Sequence, residues 1–222
     1  MTAVGGTSLA VDKNDGYLFE TGWGTGFSPL GPSGRHWNPK PPGYFLYASG
    51  GGTSKRFDEP AYQKGVVPTS LSGYWGGSGR VVPDFAADGD PNTGFIVGQT
   101  QTFPNGSVRY SEYRLGGTSL SSPLVAGIMA LANQYAGHDL GFANPLLYSI
   151  DASAFNDIVD PSSTVAVARV NYANGVNARD GLTYSLRTMN QTGTLHTIPG
   201  YDDVTGRGTP NGWSFLRALA GP

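Results

Sequence analysis

The stretch GGTSLSSPLVAGIMALA, residues 116–132, is the most informative part of this chain. Its two glycines allow a sharp backbone turn, and Ser119 follows where a helix is expected to begin. The free N–H groups of a helix N-terminus stabilise negative charge that develops nearby. Pro123 fits the first turn of a helix, and the residues after it are apolar on nearly every side, which predicts a buried helix. A serine held in this way is a common arrangement for a nucleophile.

The same motif also has a purely structural interpretation, because Gly-Gly-Thr-Ser before a helix is an ordinary N-cap. The chain itself repeats the pentapeptide GGTSL at residues 5–9. There the sequence continues as AVDKNDG, which predicts a short strand and then a turn. The pentapeptide alone therefore does not identify a nucleophile. The signal comes from the eight residues up to Pro123 together with the helix that follows them.

The composition limits the class of protein. The 222 residues are enough for one domain with a substantial core. Only 14% of them are charged and the formal net charge is −2, which argues against a nucleic-acid partner. The absence of cysteine excludes disulfides, thiol catalysis and zinc held by thiolates. No run is apolar and long enough to span a membrane. The Gly-rich, Tyr-rich composition is typical of an extracellular protein, whose targeting segment would lie upstream of Met1.

Interleaved strands and helices predict one α/β layered domain. The Pro-rich residues 39–42 predict a loop-rich region over 16–50, and residues 160–197 are expected to be irregular and partly β. Phe-Pro-Asn-Gly at 103–106 predicts the turn of a β-hairpin. The expected strands are 1–11, 80–85, 94–101 and 107–115, with a helical turn at 59–64 and helices from the motif to about residue 135, at 144–148 and at 213–219.

The nucleophile stretch resembles the Gly-Thr-Ser-x-x-x-Pro motif of the subtilisin-like clan. Other segments are similar to motifs of one family in that clan, the sedolisins or serine-carboxyl peptidases, and they occur in the family's order. These segments are VGGT at 4–7, GGGTS at 50–54 with PAYQ at 60–63, VPDFAADGDP at 82–91, and PGYDDVTGRGTPN at 199–211. In the last of them Tyr201 replaces the family's Trp. The resemblance spans almost the whole chain.

This resemblance implies a subtilisin-like, mostly parallel sheet flanked by helices, present here as a partial domain with loop-rich, Gly-rich insertions. Residues 1–222 would be the C-terminal part of the catalytic domain. The nucleophile segment would be 116–136, and the calcium-site region would be 155–208.

The catalytic partners that the family uses are missing from the sequence. Sedolisins use a Glu and an Asp four residues apart on one helix face, and a further Asp upstream of the VGGT strand binds the oxyanion while protonated, so they work at acidic pH. The three glutamates, Glu20, Glu59 and Glu112, are followed four residues later by Gly, Gln and Gly. His36 lacks the Gly-His-Gly-Thr-His context of a subtilisin base. Ser119 is thus the single catalytic residue expected here.

The missing groups would come from the N-terminal part of the same peptidase, which would supply the Glu/Asp pair and the oxyanion Asp. Asp84 and Asp90 match family positions, but they are expected to be structural carboxylates that close loops.

Two further segments resemble the halves of the family's calcium site. The resemblance implies that the carboxylates of Asp157 and Asp202 and the carbonyls of Ile158, Ile198 and Gly200 bind one Ca²⁺ ion. Carboxylates and carbonyls suit calcium because it is a hard cation. The family usually has Gly at the position of Ile198. Turn residues or helix caps are the alternative interpretation of the two aspartates.

The sequence therefore predicts a secreted, acid-active serine endopeptidase that forms an acyl-enzyme on Ser119 and acts on protein or peptide substrates. The alternative is a catalytically incomplete remnant that folds around calcium and at most binds peptides. A Gly-rich structural or carbohydrate-binding β-domain would explain the composition, but it would not explain the helix after Ser119.

Overall fold

A three-stranded sheet lies at the centre of the computed structural model, which describes residues 1–172 and 182–221. Strand β1 (Val4–Val11) pairs antiparallel with β2 (Tyr17–Gly22) and parallel with β7 (Phe85–Asp88). Helix α2 (Thr118–Ala136) packs against β1 and β7, and α4 (Gly212–Ala220) packs against α2. These elements form the layer that carries the nucleophile motif.

A second, antiparallel sheet has four strands in the order β11 (Ala166–Tyr172), β12 (Leu182–Thr188), β3 (Gly24–Pro29) and β4 (Tyr44–Ala48). Three strands therefore occupy the region 16–50 that we expected to be loop-rich. The prolines at 39–42 lie in the connection between β3 and β4, where they do not interrupt a strand. Part of the region 160–197 is strand as expected, and its residues 173–181 lie outside the described residues.

The remaining elements agree with the sequence in part. Residues 59–64 contain turns but no helix, and the strand predicted at 80–85 is divided by Pro83 and Asp84 into two strands, Gly79–Val82 and Phe85–Asp88. Residues 103–106 connect two paired strands, which confirms the predicted hairpin. The helices predicted at 144–148 and 213–219 are present with one or two more residues. The other bounds are β5 Gly52–Asp58, β6 Gly79–Val82, β8 Ile96–Thr102, β9 Val108–Arg114, β10 Phe155–Asn156, β13 Thr209–Pro210, α1 Thr69–Ser72, α3 Asn144–Ser149 and a 3-10 helix at Ala152–Ala154.

The core is built around three phenylalanine rings from distant parts of the chain. Phe85, Phe155 and Phe215 are buried, and their ring centroids lie 5.3 to 6.4 Å apart. Rings at these separations gain contact energy in addition to the area they bury. The cluster holds α4 against β7 and so supports the sheet under the nucleophile helix.

Helix α2 is buried on one face only, so the prediction of a helix buried all round is wrong for this chain. Val125 and Ala132 face the core, while Leu131 and Tyr135 are each 52% exposed, with the Tyr135 ring against Trp213 of α4. The described elements supply a packing layer on one side of the helix. None of the helices in the described ranges combines the length and apolarity that crossing a membrane requires.

Candidate active site and candidate calcium site

Ser119 is exposed in the first turn of α2, and the backbone around it explains how it is held there. Gly117 precedes the helix with φ of 89°, a conformation that a residue with a Cβ rarely adopts. Its N–H donates to the carbonyl of Gly89 at 2.5 Å. The first N–H groups of a helix have no partner within the helix, so they can stabilise negative charge that develops beside Ser119.

Ser121 fastens the start of α2 to the end of β7. Its buried hydroxyl lies 3.1 Å from the carbonyl oxygens of Ala87 and Asp88, to which it donates. A Cβ built on Gly89 would lie 2.7 Å from this hydroxyl, so the close approach requires glycine. The result is an exposed serine on a rigid support, as a nucleophile requires.

The repeated pentapeptide has a different structure, as the sequence predicted. Residues 5–9 lie inside β1. Ser8 is fully buried, and its hydroxyl donates to Oδ2 of Asp90 at 2.8 Å. The same five residues therefore form a strand in one place and the start of a helix in the other, because only the second copy continues into an apolar helical sequence.

No other described residue hydrogen-bonds to the Ser119 hydroxyl. Glu20 lies in β2 and Glu112 in β9, while Glu59 accepts a hydrogen bond from Ser78 at 2.6 Å. His36, in the connection after β3, pairs with Ser33. The described residues thus provide no helical Glu-x-x-x-Asp pair, in agreement with the sequence analysis.

The carboxylates of Glu20, Asp88 and Asp90 lie in or beside the central sheet, Glu20 half-buried and the other two buried, and each has hydroxyl or amide partners. Glu20 accepts hydrogen bonds from the hydroxyls of Thr7 and Thr209, and burial raises its pKa. Asp90 accepts hydrogen bonds from the hydroxyls of Ser8 and Thr25. It also accepts two from Asn92, which close the loop that contains both residues. Asp88 accepts from Thr93 at 2.9 Å. These contacts are those of structural groups.

Asp88 gives the fold a pH dependence that can be measured. Burial raises its pKa from the ordinary value to about 6. The ionised form is therefore disfavoured in the folded state, so the contribution of Asp88 to stability is most favourable below about pH 4 and falls as the pH rises to about 6. We expect Asp88→Asn to reduce this slope and to stabilise the protein by about 2 kcal/mol at pH 7. Denaturant unfolding at several pH values measures both quantities.

The control for this prediction is Asp139→Asn, which changes an exposed carboxyl after α2 and should leave the slope intact. Glu20 and Asp202 have pKa values shifted in the same direction, so the difference between Asp88→Asn and the unmodified chain isolates Asp88. If stability depended on pH with the same slope in Asp88→Asn and in the unmodified chain, the prediction for Asp88 would be wrong.

The structure brings together the two segments of the predicted calcium site. Oδ2 of Asp157 accepts a hydrogen bond from the N–H of Gly200 at 2.9 Å, and Oδ2 of Asp202 accepts from Ile198 at 3.4 Å. Asp157 is exposed and Asp202 is buried, as is the neighbouring Ile158. Part of the predicted region 155–208, residues 173–181, lies outside the described residues.

Carboxylate and carbonyl oxygens are the ligand type that a hard cation takes. Both oxygens of Asp202 also accept hydrogen bonds from Val204 or Thr205, so the alternative interpretation as a loop-closing turn residue has support as well. Gly200 has φ of 84°, whereas Ile198 is not among the residues with positive φ, so a side chain at position 198 is compatible with the loop. Within the described ranges, no group of three or more His, Cys, Asp or Glu side chains is arranged so that it could hold a metal ion. Carbonyls and water would therefore complete the coordination.

The chain is similar in sequence to known peptidases. No protein-family model matches the chain. Kumamolisin from Bacillus sp. (strain MN-32) is 33% identical over 188 residues, which cover 82% of this chain and 27% of kumamolisin. Tripeptidyl-peptidase 1 of Macaca fascicularis is 30% identical over 188 residues, covering 79% of this chain and 28% of that protein.

A solved structure shows the same fold. Pseudomonas sedolisin, a serine-carboxyl proteinase complexed with two molecules of pseudo-iodotyrostatin, matches with a TM-score of 0.58 and 24% identity over 99% of this chain and 45% of its own. The expected partial subtilisin-like α/β fold is thus confirmed. Among the described strands, β1 and β7 pair in parallel, and the other strand pairs are antiparallel. The chain spans about a quarter of the length of the curated relatives named above.

Proposed function

The chain belongs to the sedolisin family of serine-carboxyl peptidases, of which it matches part of the catalytic domain, and from this premise we propose that it is the nucleophile-bearing part of an acid-active serine endopeptidase. The observation that carries the proposal is the exposed Ser119 at the start of a helix anchored by Ser121. A nucleophile needs this combination of access and rigid support.

In the proposed reaction the Ser119 oxygen attacks the scissile carbonyl carbon. The Ser119 proton passes to a base outside this chain, and the amine leaves after protonation. Water then hydrolyses the acyl-enzyme and regenerates the serine. The N–H groups at the start of α2 stabilise negative charge on the carbonyl oxygen, together with a protonated Asp from outside this chain. Peptides and proteins would be the substrates, and we propose a secreted location.

We propose that the partner is the N-terminal part of the same peptidase, carrying the Glu/Asp pair and the oxyanion Asp. Two observations support this. The described residues contain no helical carboxylate pair, and α2 exposes apolar side chains, among them Leu131. A polypeptide layer on the exposed side of α2 would bury them.

The test is hydrolysis of a denatured protein substrate at about pH 4, where a carboxyl of ordinary pKa is partly protonated. A protein in which residues 1–222 are joined to an N-terminal part with the Glu-x-x-x-Asp helix should cleave the substrate. The 222-residue chain alone should not. The competing proposal, a remnant that at most binds peptides, is favoured if the joined protein folds but has no activity.

We also propose that Asp157 and Asp202, with carbonyls of Ile158, Ile198 and Gly200, bind one Ca²⁺ ion. The ion would hold the long segment between the two aspartates in place. Calcium at a hundredfold excess over its Kd should raise the Tm by about 5 °C or more, because it binds only the folded state.

Thermal unfolding with calcium and with a chelator measures this effect. Asp157→Asn should abolish most of the shift, and Asp139→Asn, an exposed carboxyl elsewhere, should not. An unchanged Tm on chelation would eliminate the calcium proposal without affecting the peptidase proposal.

A further inference from the structure

Arg187 in β12 is a buried cation with unsatisfied donors. The residue is 9% exposed, and its Nε and Nη1 atoms have no hydrogen-bond partner. The guanidinium lies 4.3 Å from the centre of the Phe27 ring, which compensates only part of the lost hydration. A buried charge without a hydrogen-bonding partner is costly, so its presence calls for a ligand that supplies the missing acceptors.

Two more arginines lie around the same loop. Nη1 of Arg169 donates to Oδ1 of Asn92 at 2.6 Å, and Nη1 of Arg114 donates to the carbonyl of Asn92 at 2.8 Å. Burial, followed by the positive charges of Arg114 and Arg187, lowers the pKa of Arg169. We call Arg114, Arg169 and Arg187 the arginine cluster. Its members range from exposed to buried, so the cluster extends from the surface inward.

The negative charge near the arginine cluster is already engaged elsewhere. Asp90 is the carboxylate that interacts electrostatically with Arg169 and Arg187. Its two oxygens accept hydrogen bonds from neutral donors of Ser8, Thr25 and Asn92. The ion pair found between described side chains joins Arg80 to Asp84 and involves none of the three arginines. The cluster therefore has an excess of positive charge that no described carboxylate pairs with.

The cluster also lies close to the nucleophile motif. The loop that Arg114 and Arg169 contact, residues 90–92, directly follows Gly89, whose carbonyl accepts the N–H of Gly117. A Cβ built on Gly116 would lie 2.3 Å from the nitrogen of Pro91, so the loop and the motif pack tightly together. A peptide bound at Ser119 would thus have the arginine cluster within reach of neighbouring side chains.

We propose that the arginine cluster binds the carboxylate of an Asp or Glu side chain in a peptide substrate. This inference rests on the proposed peptidase function for its choice of ligand. A guanidinium presents parallel N–H groups that match the two oxygens of a carboxylate, and such charge-assisted pairs are stronger than neutral hydrogen bonds. The excess positive charge would favour acidic peptides over their neutral amide analogues.

The first test uses the 222-residue chain and two capped tetrapeptides, Ac-Ala-Glu-Glu-Ala-NH2 and its Gln-Gln counterpart, at about pH 6, where glutamate is ionised. Calorimetric titration should show binding of the acidic peptide roughly tenfold or more tighter than binding of the amide peptide. Arg187→Met should remove this preference. Equal affinities of the unmodified chain for both peptides would overturn the proposal.

Arg56→Met is the matched control, because Arg56 is an exposed arginine of strand β5 and should leave the preference unchanged. Arg187→Met should keep or raise the Tm, since an apolar residue of similar volume replaces an unpaired buried charge. If that variant does not fold, Arg169→Gln tests the same cluster and should also reduce the preference. A preference that survives in a folded cluster variant contradicts the assignment.

The second test separates two sources of the carboxylate, the substrate and the rest of a longer protein. In the joined protein described above, kcat/KM for Glu-containing substrates should exceed that for Gln-containing ones, and Arg187→Met should equalise them. Loss of the preference in the joined protein, with its retention in the 222-residue chain, would assign the cluster to an internal carboxylate and overturn the substrate proposal. Absence of any hydrolysis would contradict the peptidase proposal and leave the first test to decide on the cluster.

Discussion

Replacing Ser119 with alanine should lower kcat for peptide hydrolysis by about 10³-fold or more in a protein that joins this chain to its catalytic partner groups. The loss is large because the nucleophile has no substitute. The described serines nearby are either anchored, as Ser121 is by two carbonyls, or lie further along the helix. KM should change little, since the variant keeps the backbone that contacts the substrate. Steady-state kinetics at acidic pH measures both constants.

Two serines of the same chain serve as controls. Ser122→Ala changes an exposed hydroxyl three residues further on and should retain activity. Ser8→Ala changes the serine of the repeated pentapeptide, whose hydroxyl donates to Asp90. It should lower stability by about 1 kcal/mol and leave kcat intact when measured on folded protein. Full activity of Ser119→Ala would refute the proposed nucleophile.

Replacing Asp84 with alanine should destabilise the fold by about 3 to 5 kcal/mol, because it breaks a buried ion pair and leaves other donors without an acceptor. Oδ2 of Asp84 forms an ion pair with the guanidinium of Arg80 at 2.8 Å and accepts a hydrogen bond from the N–H of Ala3 at 2.7 Å. Its Oδ1 accepts the hydroxyl of Tyr148 at 3.0 Å. One carboxylate thus ties together the beginning of β1, the turn before β7 and helix α3. Denaturant unfolding gives the free energy.

A graded series makes the Asp84 prediction specific. Tyr148→Phe removes one of the donors to Asp84 and should cost about 1 to 2 kcal/mol. Asp139→Ala, at an exposed carboxyl after α2, should stay within about 0.5 kcal/mol of the unmodified chain. If Asp84→Ala were as mild as Asp139→Ala, the hydrogen bonds around Asp84 would not be important for the fold.

The sequence predicted the elements whose signals are local. The hairpin at 103–106 follows from Asn105-Gly106 between alternating strands, and the start of α2 follows from its glycines. The expected place of Pro123 in the first turn is wrong, because the helix begins at Thr118 and Pro123 lies inside it. Strands β2 to β4 were missed, because the prolines between β3 and β4 obscured strands whose stability comes from pairing with β1 and β12. Propensity is a weak guide where such long-range pairing decides the structure.

In the candidate site, too, the features that depend on local sequence could be predicted and those that depend on long-range contacts could not. The position of Ser119 at the start of a helix and the strand form of the repeat were both readable, since each depends on neighbouring residues. The arginine cluster was not readable, because Arg114, Arg169 and Arg187 meet only through strand register and loop packing. Burial on one face of α2 was also misjudged. Its apolar sequence indicates a covered helix, and the described part of the chain covers half of it.

The carboxylate of Glu20 has a consequence for how the chain can be made. Its two hydroxyl partners, Thr7 and Thr209, are 13 and 189 positions away in the sequence. During synthesis the first hairpin can form early, but Glu20 lacks its second partner until Thr209 has left the ribosome. Contacts this distant slow folding and prolong the exposure of unfinished sheet edges. The carboxylate of Glu20 therefore stays without one of its two hydroxyl partners in any nascent chain that ends before Thr209.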